Sequence, residues 1–410
     1  MMNIHRRNFL KISSLAGLSA FLPTQAGFAS PKDTILEEAI RARIYEKLKS
    51  PVMIQTIELV RTQGELFVRV VSTDGATGIT QCNDRMNNLG SLLKGLVVPF
   101  FTGKDARDIV FLTEEVYRVN SHYKYAGMPF WNCVGHVEIA IWDLLGKMSA
   151  KPVHQFLGEK IRSQVPVYLS SLTRETTPEQ EAEDLGKKLA ETGAKAIKIK
   201  VGGRMRNTPE DERRSRLLIP ELRKRLGDGM TIYADANSSY MVKEGIEIGR
   251  MLEDYGVAIF EEPCPWEDYD GNRAVNKALK KIKLAGGEQD TSWFRFRHLL
   301  ETNVYDIVQP DVYYNGGLVR ALKIAVLAQK FKKGIAPHSP KADPLEASFL
   351  QVAAVCPSLY GFQEYPARPG GQPSWYQPHI LVKDGSLTIP ESPGLGIAYE
   401  ESIWQKAERI

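Results

Sequence analysis

The 410-residue chain has little cysteine. Cys82, Cys133, Cys264 and Cys356 are widely scattered, and no two have the spacing of a metal finger or a redox pair. They read as isolated packing residues, with a disulfide left open. No apolar run reaches the ~20 residues that span a bilayer, so no membrane partner is expected for the mature form. Charge of one sign is also scarce: formal net charge is +4, and part of it sits at the N-terminus. Without a face-wide excess of Lys and Arg, no nucleic-acid partner is expected. The one basic stretch, "RRSRLLIPELRKRL" (213–226), is interleaved with acids and apolar residues at helical spacing and reads as a solvated helix face. What is present is 43% apolar and 25% charged, an ordinary globular composition. The length suits two modest domains, or one large one with an appendage.

The first thirty residues stand apart. "HRRNFLKISSLAGLSAFLPTQAGFAS" runs from a basic pair through a short uncharged stretch to small residues, the order of an export signal. Arg6-Arg7 followed by Phe9-Leu10-Lys11 resembles a twin-arginine signal, with His5 where Ser is usual. Cleavage after Ala26 or Ala29 fits the small-residue rule, and no cysteine lies nearby to accept a lipid. The expected destination is periplasmic, or cytoplasmic if the signal is not used.

Residues 31–49 alternate charged and apolar groups like a short helix. "MIQTIELVR" and "ELFVRVVSTDG" then read as strands, with turns at Gly64 and Asp74-Gly75, an antiparallel meander. From about Ser91 to Gly158 the period is helical. "GHVEIAIWDLLGKM" places Val137, Ile141, Leu144, Leu145 and Met148 near one face, and Pro152 closes the region. This predicts an α+β domain ending near Val165. Beyond it, strand and helix alternate: "VPVYLSS", "AKAIKIKV", "MTIYADAN", "VAIFEEP", "KLAGGEQD", "YDIVQPD", "KGIAPHS" and "YGFQEYP" are short apolar strands. One intervening helix has Thr208 as N-cap and Pro209 in its first turn. Strands alternating with helices over ~200 residues predict a closed parallel (β/α)8 barrel. An open doubly wound sheet is the alternative, and the missing Gly-rich dinucleotide signature counts against it. The tail, "PHILVKDGSLTIPESPGLGIAYEE", reads as two short strands that could return to the first domain.

In a parallel barrel, functional groups sit at the C-terminal strand ends. Read in order, those ends offer Lys198 and Lys200, Asp235 and Asn237, Glu261 and Glu262, Glu288, Asp311, His338 and Glu364. Strand period two turns both lysines of "AIKIK" inward and Ile197, Ile199 and Val201 toward the helices. Two close ammoniums are expected to lower each other's proton affinity, suiting one as a base. Asp235, Glu261 and Glu288 lie on successive strands and are expected to converge. Three such carboxylates repel unless a hard dication sits among them, Mg2+ first on ligand type, with Mn2+ as the alternative. Asp311 beside His338 fixes an imidazole tautomer. Singly, each group has a bland reading: a solvated lysine pair, a loop acid, a capping Asp, a satisfied loop histidine. Their recurrence at successive strand ends is the argument. Glu262 reads as lying behind the ligands, and His122, His136, His154, His298 and His379 as structural.

"KIK", "DAN", "FEEP", "GGEQ", "QPD" and "PHS", in this order, with the "EIAIWDLLGK" helix and the "PGLG" tail, resemble the enolase superfamily, mandelate racemase subgroup, from about Met53 to the C-terminus. For that superfamily a Lys or His base with Mg2+ stabilising an enediolate is the general pattern. With the twin-arginine-type signal at 1–29 set apart, the expected domains are an N-terminal α+β capping domain at 30–165, a barrel at 166–365, and a segment at 366–410 returning to the cap. The resemblance implies Mg2+ on Asp235, Glu261 and Glu288, and abstraction of the proton α to the carboxylate of a small-molecule substrate. Lys200 would be the base on one face, and His338, oriented by Asp311, the acid or base on the other. Lys198 would hold a carboxylate oxygen, Asn237 would touch substrate, and Glu364 would be a protonated donor to the carboxylate. Two lid loops, near 61–65 and 81–90, would set specificity. A homo-oligomer is expected. Dehydration of a sugar acid is the favoured reaction. Racemisation or epimerisation of a 2-hydroxy acid and cycloisomerisation of an anhydro-sugar acid use the same residues. An exported sugar-acid binding protein is the non-enzymatic alternative.

Overall fold

A computed structural model describes residues 34–367 and 371–410; the twin-arginine motif and its cleavage positions lie outside the described residues. Residues 36–410 form one compact unit. The described residues open with a helix, Thr34–Lys47, followed by a meander of β1 (Ile54–Thr62), β2 (Glu65–Ser72) and β3 (Thr77–Gln81). β1 pairs antiparallel with β2, and β2 with β3. Across this sheet lies the helix Met128–Met148. Gly78 on β3 permits that close approach: a Cβ there would stand 2.1 Å from the Ala140 carbonyl oxygen. The sequence predicts one apolar face for this helix. Instead every residue from Phe130 to Gly146 is buried. The sheet covers one side, and the barrel, through Tyr313 and Leu318, meets the other.

Eight parallel strands follow: β4 (Gln164–Ser170), β5 (Ala196–Lys200), β6 (Thr231–Asp235), β7 (Ile259–Glu261), β8 (Lys283–Gly286), β9 (Ile307–Val308), β10 (Gly334–Ile335) and β11 (Gln363–Pro366). They pair in the order β10-β9-β8-β7-β6-β5-β4-β11. A parallel bridge between Ile335 and Leu359, with the Ile335 N–H donating to the Ser358 carbonyl at 3.0 Å, closes the ring. The remaining strands are β12 (Tyr376–Gln377), β13 (Ser386–Thr388), β14 (Ala398–Tyr399) and β15 (Glu408–Arg409). The tail does return: β13 pairs with β4, and β15 adds to β1 through Val60–Arg409 and Arg61–Glu408.

The helices form for local reasons that the sequence shows. Helix Pro209–Leu226 begins at a capping box: the Asp211 N–H donates to Thr208 Oγ1 at 3.2 Å, and the Thr208 N–H to Asp211 Oδ2 at 3.0 Å. Its basic face is not wholly solvated. Arg214 turns inward to pair with Glu181 and to donate to the Lys200 carbonyl at 3.3 Å. Among the described residues no helix is long and apolar enough to cross a membrane. All four cysteines are buried and free, so the open question of a disulfide closes in favour of packing.

Candidate active site

The barrel interior is built in layers. Tyr168, Ala196, Tyr233, Ile259, Ala285 and Ile307, one from each of β4 to β9, form an apolar floor with Ala336. Ile197, Ile199 and Val201 belong to the other cluster, under the helices. Parity along β5 therefore directs Lys198 and Lys200 inward, as the pattern "AIKIK" predicts. Two residues beyond the floor stand Lys198, Asp235, Glu261, Gln309 and His338, and Glu364 stands two beyond Phe362, which packs against the floor. Register sets three key groups side by side, with Lys200 opposite Asp235 and Asp235 opposite Glu261.

These groups are buried and interlocked. Lys198 Nζ donates to both Glu261 oxygens at 3.0 Å and lies 2.9 Å from Glu364 Oε1. Burial opposes its charge, but Glu261 and Glu364 more than offset that, and the ammonium is held well above its ordinary range. For Lys198 this corrects the expectation that its neighbour lysine lowers its proton affinity: carboxylates within 3 Å set its state instead. Lys200 pairs with Asp235. Burial raises the Asp235 carboxyl, yet Lys200 and Lys198 pull it below the usual carboxylate range. Asn237 donates from its backbone to Asp235 Oδ1 at 2.8 Å and from its side chain to Oδ2 at 3.2 Å.

Glu364 differs from expectation. It accepts from the Ser339 N–H at 3.2 Å and pairs with Lys198; burial would raise its carboxyl, but Lys198, His338 and Lys200 pull it below the ordinary range. A protonated donor is thus not its state beside Lys198. Glu288 also differs: it turns to His338, 3.4 Å from Nε2, instead of joining Asp235 and Glu261. Among the described residues no group of three or more His, Cys, Asp or Glu side chains stands as a cation site. As the side chains stand, Asp235 and Glu261 pair with Lys200 and Lys198, and Glu288 with His338. Each has taken the nearest positive partner, which is how a buried carboxylate offsets its lost hydration.

The opposite arc holds the imidazole. His338 Nδ1 lies 2.9 Å from Asp311 Oδ2, so Nδ1 carries the hydrogen and Nε2 faces the mouth. Asp311 Oδ1 accepts from the N–H groups of Tyr313 at 2.7 Å and Tyr314 at 3.2 Å. The Tyr314 ring lies 5.8 Å from the His338 ring, and Arg85 of the 82–88 loop stands over Tyr314 at 4.7 Å. Both expected lid loops meet here: Arg61 donates to Asn87 Oδ1 at 3.3 Å. The 82–88 loop is anchored by His136, whose Nε2 accepts from the Asn83 N–H at 3.2 Å.

Sequence reasoning missed three contributors. Gln309 donates to Glu261 Oε2 at 2.9 Å; its period-two relation to Ile307 was a usable signal. Arg174 donates to Asn237 Oδ1 at 2.9 Å from a loop with no periodicity to read. Lys341 donates to Asp311 Oδ2 at 3.0 Å, likewise from a loop.

The acids suit a hard dication. Glu262 is buried, its Oε1 has no hydrogen-bond partner, and burial together with the charges of Glu288, Asp235 and Glu261 drives its carboxyl well above the ordinary range. Burial and Asp235 push Glu261 up to about 7. Four crowded all-oxygen donors in excess of their lysine partners match Mg2+ or Mn2+ chemistry. Asn237 and Glu262, neither a glycine, adopt positive φ (42° and 41°), a conformation that strains the backbone at these two strand ends.

Comparison with known proteins agrees with this geometry. An arabinonate dehydratase of Saccharolobus solfataricus is 25% identical over 355 residues, 85% of this chain and 90% of that protein. A D-xylonate dehydratase of Haloferax volcanii is 28% identical over 313 residues, 74% of this chain and 76% of the other. Among solved structures, a proposed racemase from Roseobacter denitrificans superposes with a TM-score of 0.81 at 29% identity, covering 87% of this chain and all (100%) of that one. A mandelate racemase/muconate lactonizing protein from Paracoccus denitrificans, complexed with magnesium, gives 0.78 at 24% identity over 88% and 99% of the two chains, and shows the fold alone. Residues 38–158 match the mandelate racemase/muconate lactonizing enzyme N-terminal domain, and residues 180–403 match the enolase C-terminal domain-like family. With the ordered strand-end residues and the capped barrel, these matches place the chain in the enolase superfamily, in its mandelate racemase/muconate lactonizing enzyme branch.

Proposed function

We propose that the chain dehydrates a sugar acid with the help of a divalent cation, Mg2+ or, as the alternative, Mn2+. One observation carries the reading: Lys200 and His338 face a single carboxylate-lined mouth from separate arcs, divided by β4 and β11 one way round and β6 to β9 the other. Asp235, Glu261 and Glu288 would hold the cation, with Glu262 behind them, and when bound it supplies Lewis-acid stabilisation of the charge developing on the substrate carboxylate. Lys198, already held among Glu261 and Glu364, faces a carboxylate oxygen with its ammonium. Lys200 Nζ, once parted from Asp235, takes the proton α to the carboxylate. His338, oriented by Asp311, gives a proton to the departing β-hydroxyl, which leaves as water. The lid loops exclude solvent water from the mouth. The dehydratases similar to this chain act on arabinonate and D-xylonate by their names, which supports an aldonate.

The experiment is incubation of the purified protein with Mg2+ and a panel of aldonic and aldaric acids in D2O. Formation of a 2-keto-3-deoxy acid is expected, with deuterium on the former β-carbon, where the enol left by elimination takes a solvent proton, and excess chelator should abolish it. No exchange with any acid in the presence of metal overturns the reading. A second reading, racemisation or epimerisation, draws on the Roseobacter denitrificans structure; deuterium incorporation with inversion and no keto acid identifies it. Export by the twin-arginine route belongs to the same proposal and rests on Arg6-Arg7. A fusion in which both arginines become lysine should stay in the cytoplasm while the parent reaches the periplasm.

A further inference from the structure

His338 is oriented by Asp311, but the loop that carries His338 needs a hold of its own. That loop turns sharply, the Lys341 N–H donating to the Ser339 carbonyl at 2.8 Å. Lys341 is buried, 8% exposed, and its Nζ reaches Asp311 Oδ2 at 3.0 Å, the same oxygen that takes His338 Nδ1 at 2.9 Å. The other oxygen of Asp311 is fixed by two backbone N–H groups, Tyr313 and Tyr314. The Lys341 ammonium also lies 5.5 Å over the Tyr313 ring. Between the two anchors, Ser339 donates its N–H to Glu364 and its hydroxyl to the buried Glu346. So one carboxylate receives both ends of a four-residue loop, and the imidazole sits at one end.

We propose that Lys341 is a positioning residue that clamps the His338 loop to Asp311, making a Lys341–Asp311–His338 triad in place of a dyad. A buried ammonium on Asp311 Oδ2 fixes where that oxygen lies, and the loop it tethers fixes where Nε2 points. Without it, the loop's remaining side-chain and backbone holds among the described residues run through Ser339 and the imidazole itself. The substrate consequence rests on the dehydratase reading: His338 would lose its aim at the leaving hydroxyl, while Lys200 on β5 would keep its own.

The test uses Lys341→Met and Lys341→Arg in the full chain with Mg2+ and the turned-over acid. In Lys341→Met, keto-acid formation should fall about 100-fold, the scale of a catalytic group misplaced by an ångström, with KM within about twofold. Deuterium exchange at the α-carbon of unreacted substrate should persist. Lys341→Arg, which keeps charge and donor, should recover most of the rate. Parallel loss of exchange and elimination, or no loss of either, overturns the proposal. Nitrogen-15 spectra of the histidines provide a readout independent of turnover. The His338 signals, identified by their disappearance in His338→Asn, should show a single hydrogen-bonded Nδ1 environment in the parent and a mixture of environments in Lys341→Met. If the parent exchanges no acid at all, the dehydratase reading falls and these spectra alone decide the clamp: a single unchanged Nδ1 environment in Lys341→Met overturns it.

Discussion

Ile259 and Glu261 sit two residues apart on β7, on the same side of the strand, and belong to different worlds. Ile259 lies in the floor with Tyr168, Ala196, Tyr233 and Ile307. Glu261 lies among Lys198, Asp235 and Gln309, its carboxyl pushed up by burial and a neighbouring acid. The same contrast runs from Ala196 to Lys198 and from Tyr233 to Asp235. Floor residues satisfy one another by contact alone. Mouth residues are buried charges held in place by partners and strained backbone, an arrangement that costs stability and persists where it serves chemistry. One strand period separates the part of the barrel that holds it together from the part that acts.

That contrast can be broken or sharpened. Its largest expected consequence is Lys200→Met: α-proton exchange should drop by roughly 10²–10⁴-fold, the usual worth of a positioned base, with a far smaller relative change in thermal unfolding. Ile259→Ala should do the reverse, costing ~2–5 kcal/mol in urea unfolding while the rate per folded molecule holds. If the floor variant abolished exchange at full stability, the layers would not be separable. His136, which anchors the 82–88 loop, gives an acid-side test. Burial lowers its imidazole from 6.5 to about 4, so it stays neutral in the folded chain. The folded form then binds fewer protons than the unfolded one below 6.5; stability is complete above that pH and is lost on descending toward 4. The loss is roughly 3 kcal/mol, and His136→Asn should flatten that part of the stability–pH curve. The smallest effect concerns how the barrel meets the helix Met128–Met148. Glu138 accepts from the Leu318 N–H at 3.0 Å, and a Cβ on Gly317 (φ 118°) would stand 2.3 Å from the Glu138 carboxyl. Gly317→Ala should cost about 1–3 kcal/mol with exchange intact.

Much of this was readable before the structure. "AIKIK" declares its parity because side chains alternate whatever the fold. Thr208 declares a helix start because capping is local. The eight strand ends could be read in order because each residue followed a recognisable apolar strand. Arg214, Arg174 and Lys341 were not legible: each acts from a helix face or loop on a group far away in sequence. The burial of the helix Met128–Met148 on all sides was hidden for a related reason, since its second wall comes from residues beyond 300.

The chain alone determined which residues point inward along each strand, in what order the acids, lysines and imidazole meet the barrel mouth, and where the capping meander begins. Those follow from backbone period and local capping, which need no partner distant in sequence. Only the tertiary structure decided how the charges pair: that Lys198 joins Glu261 to Glu364, that Glu288 turns to His338, and that Lys341 shares Asp311. Pairing depends on distances of a few ångströms between strands, and Coulomb attraction in a buried site changes steeply over that range.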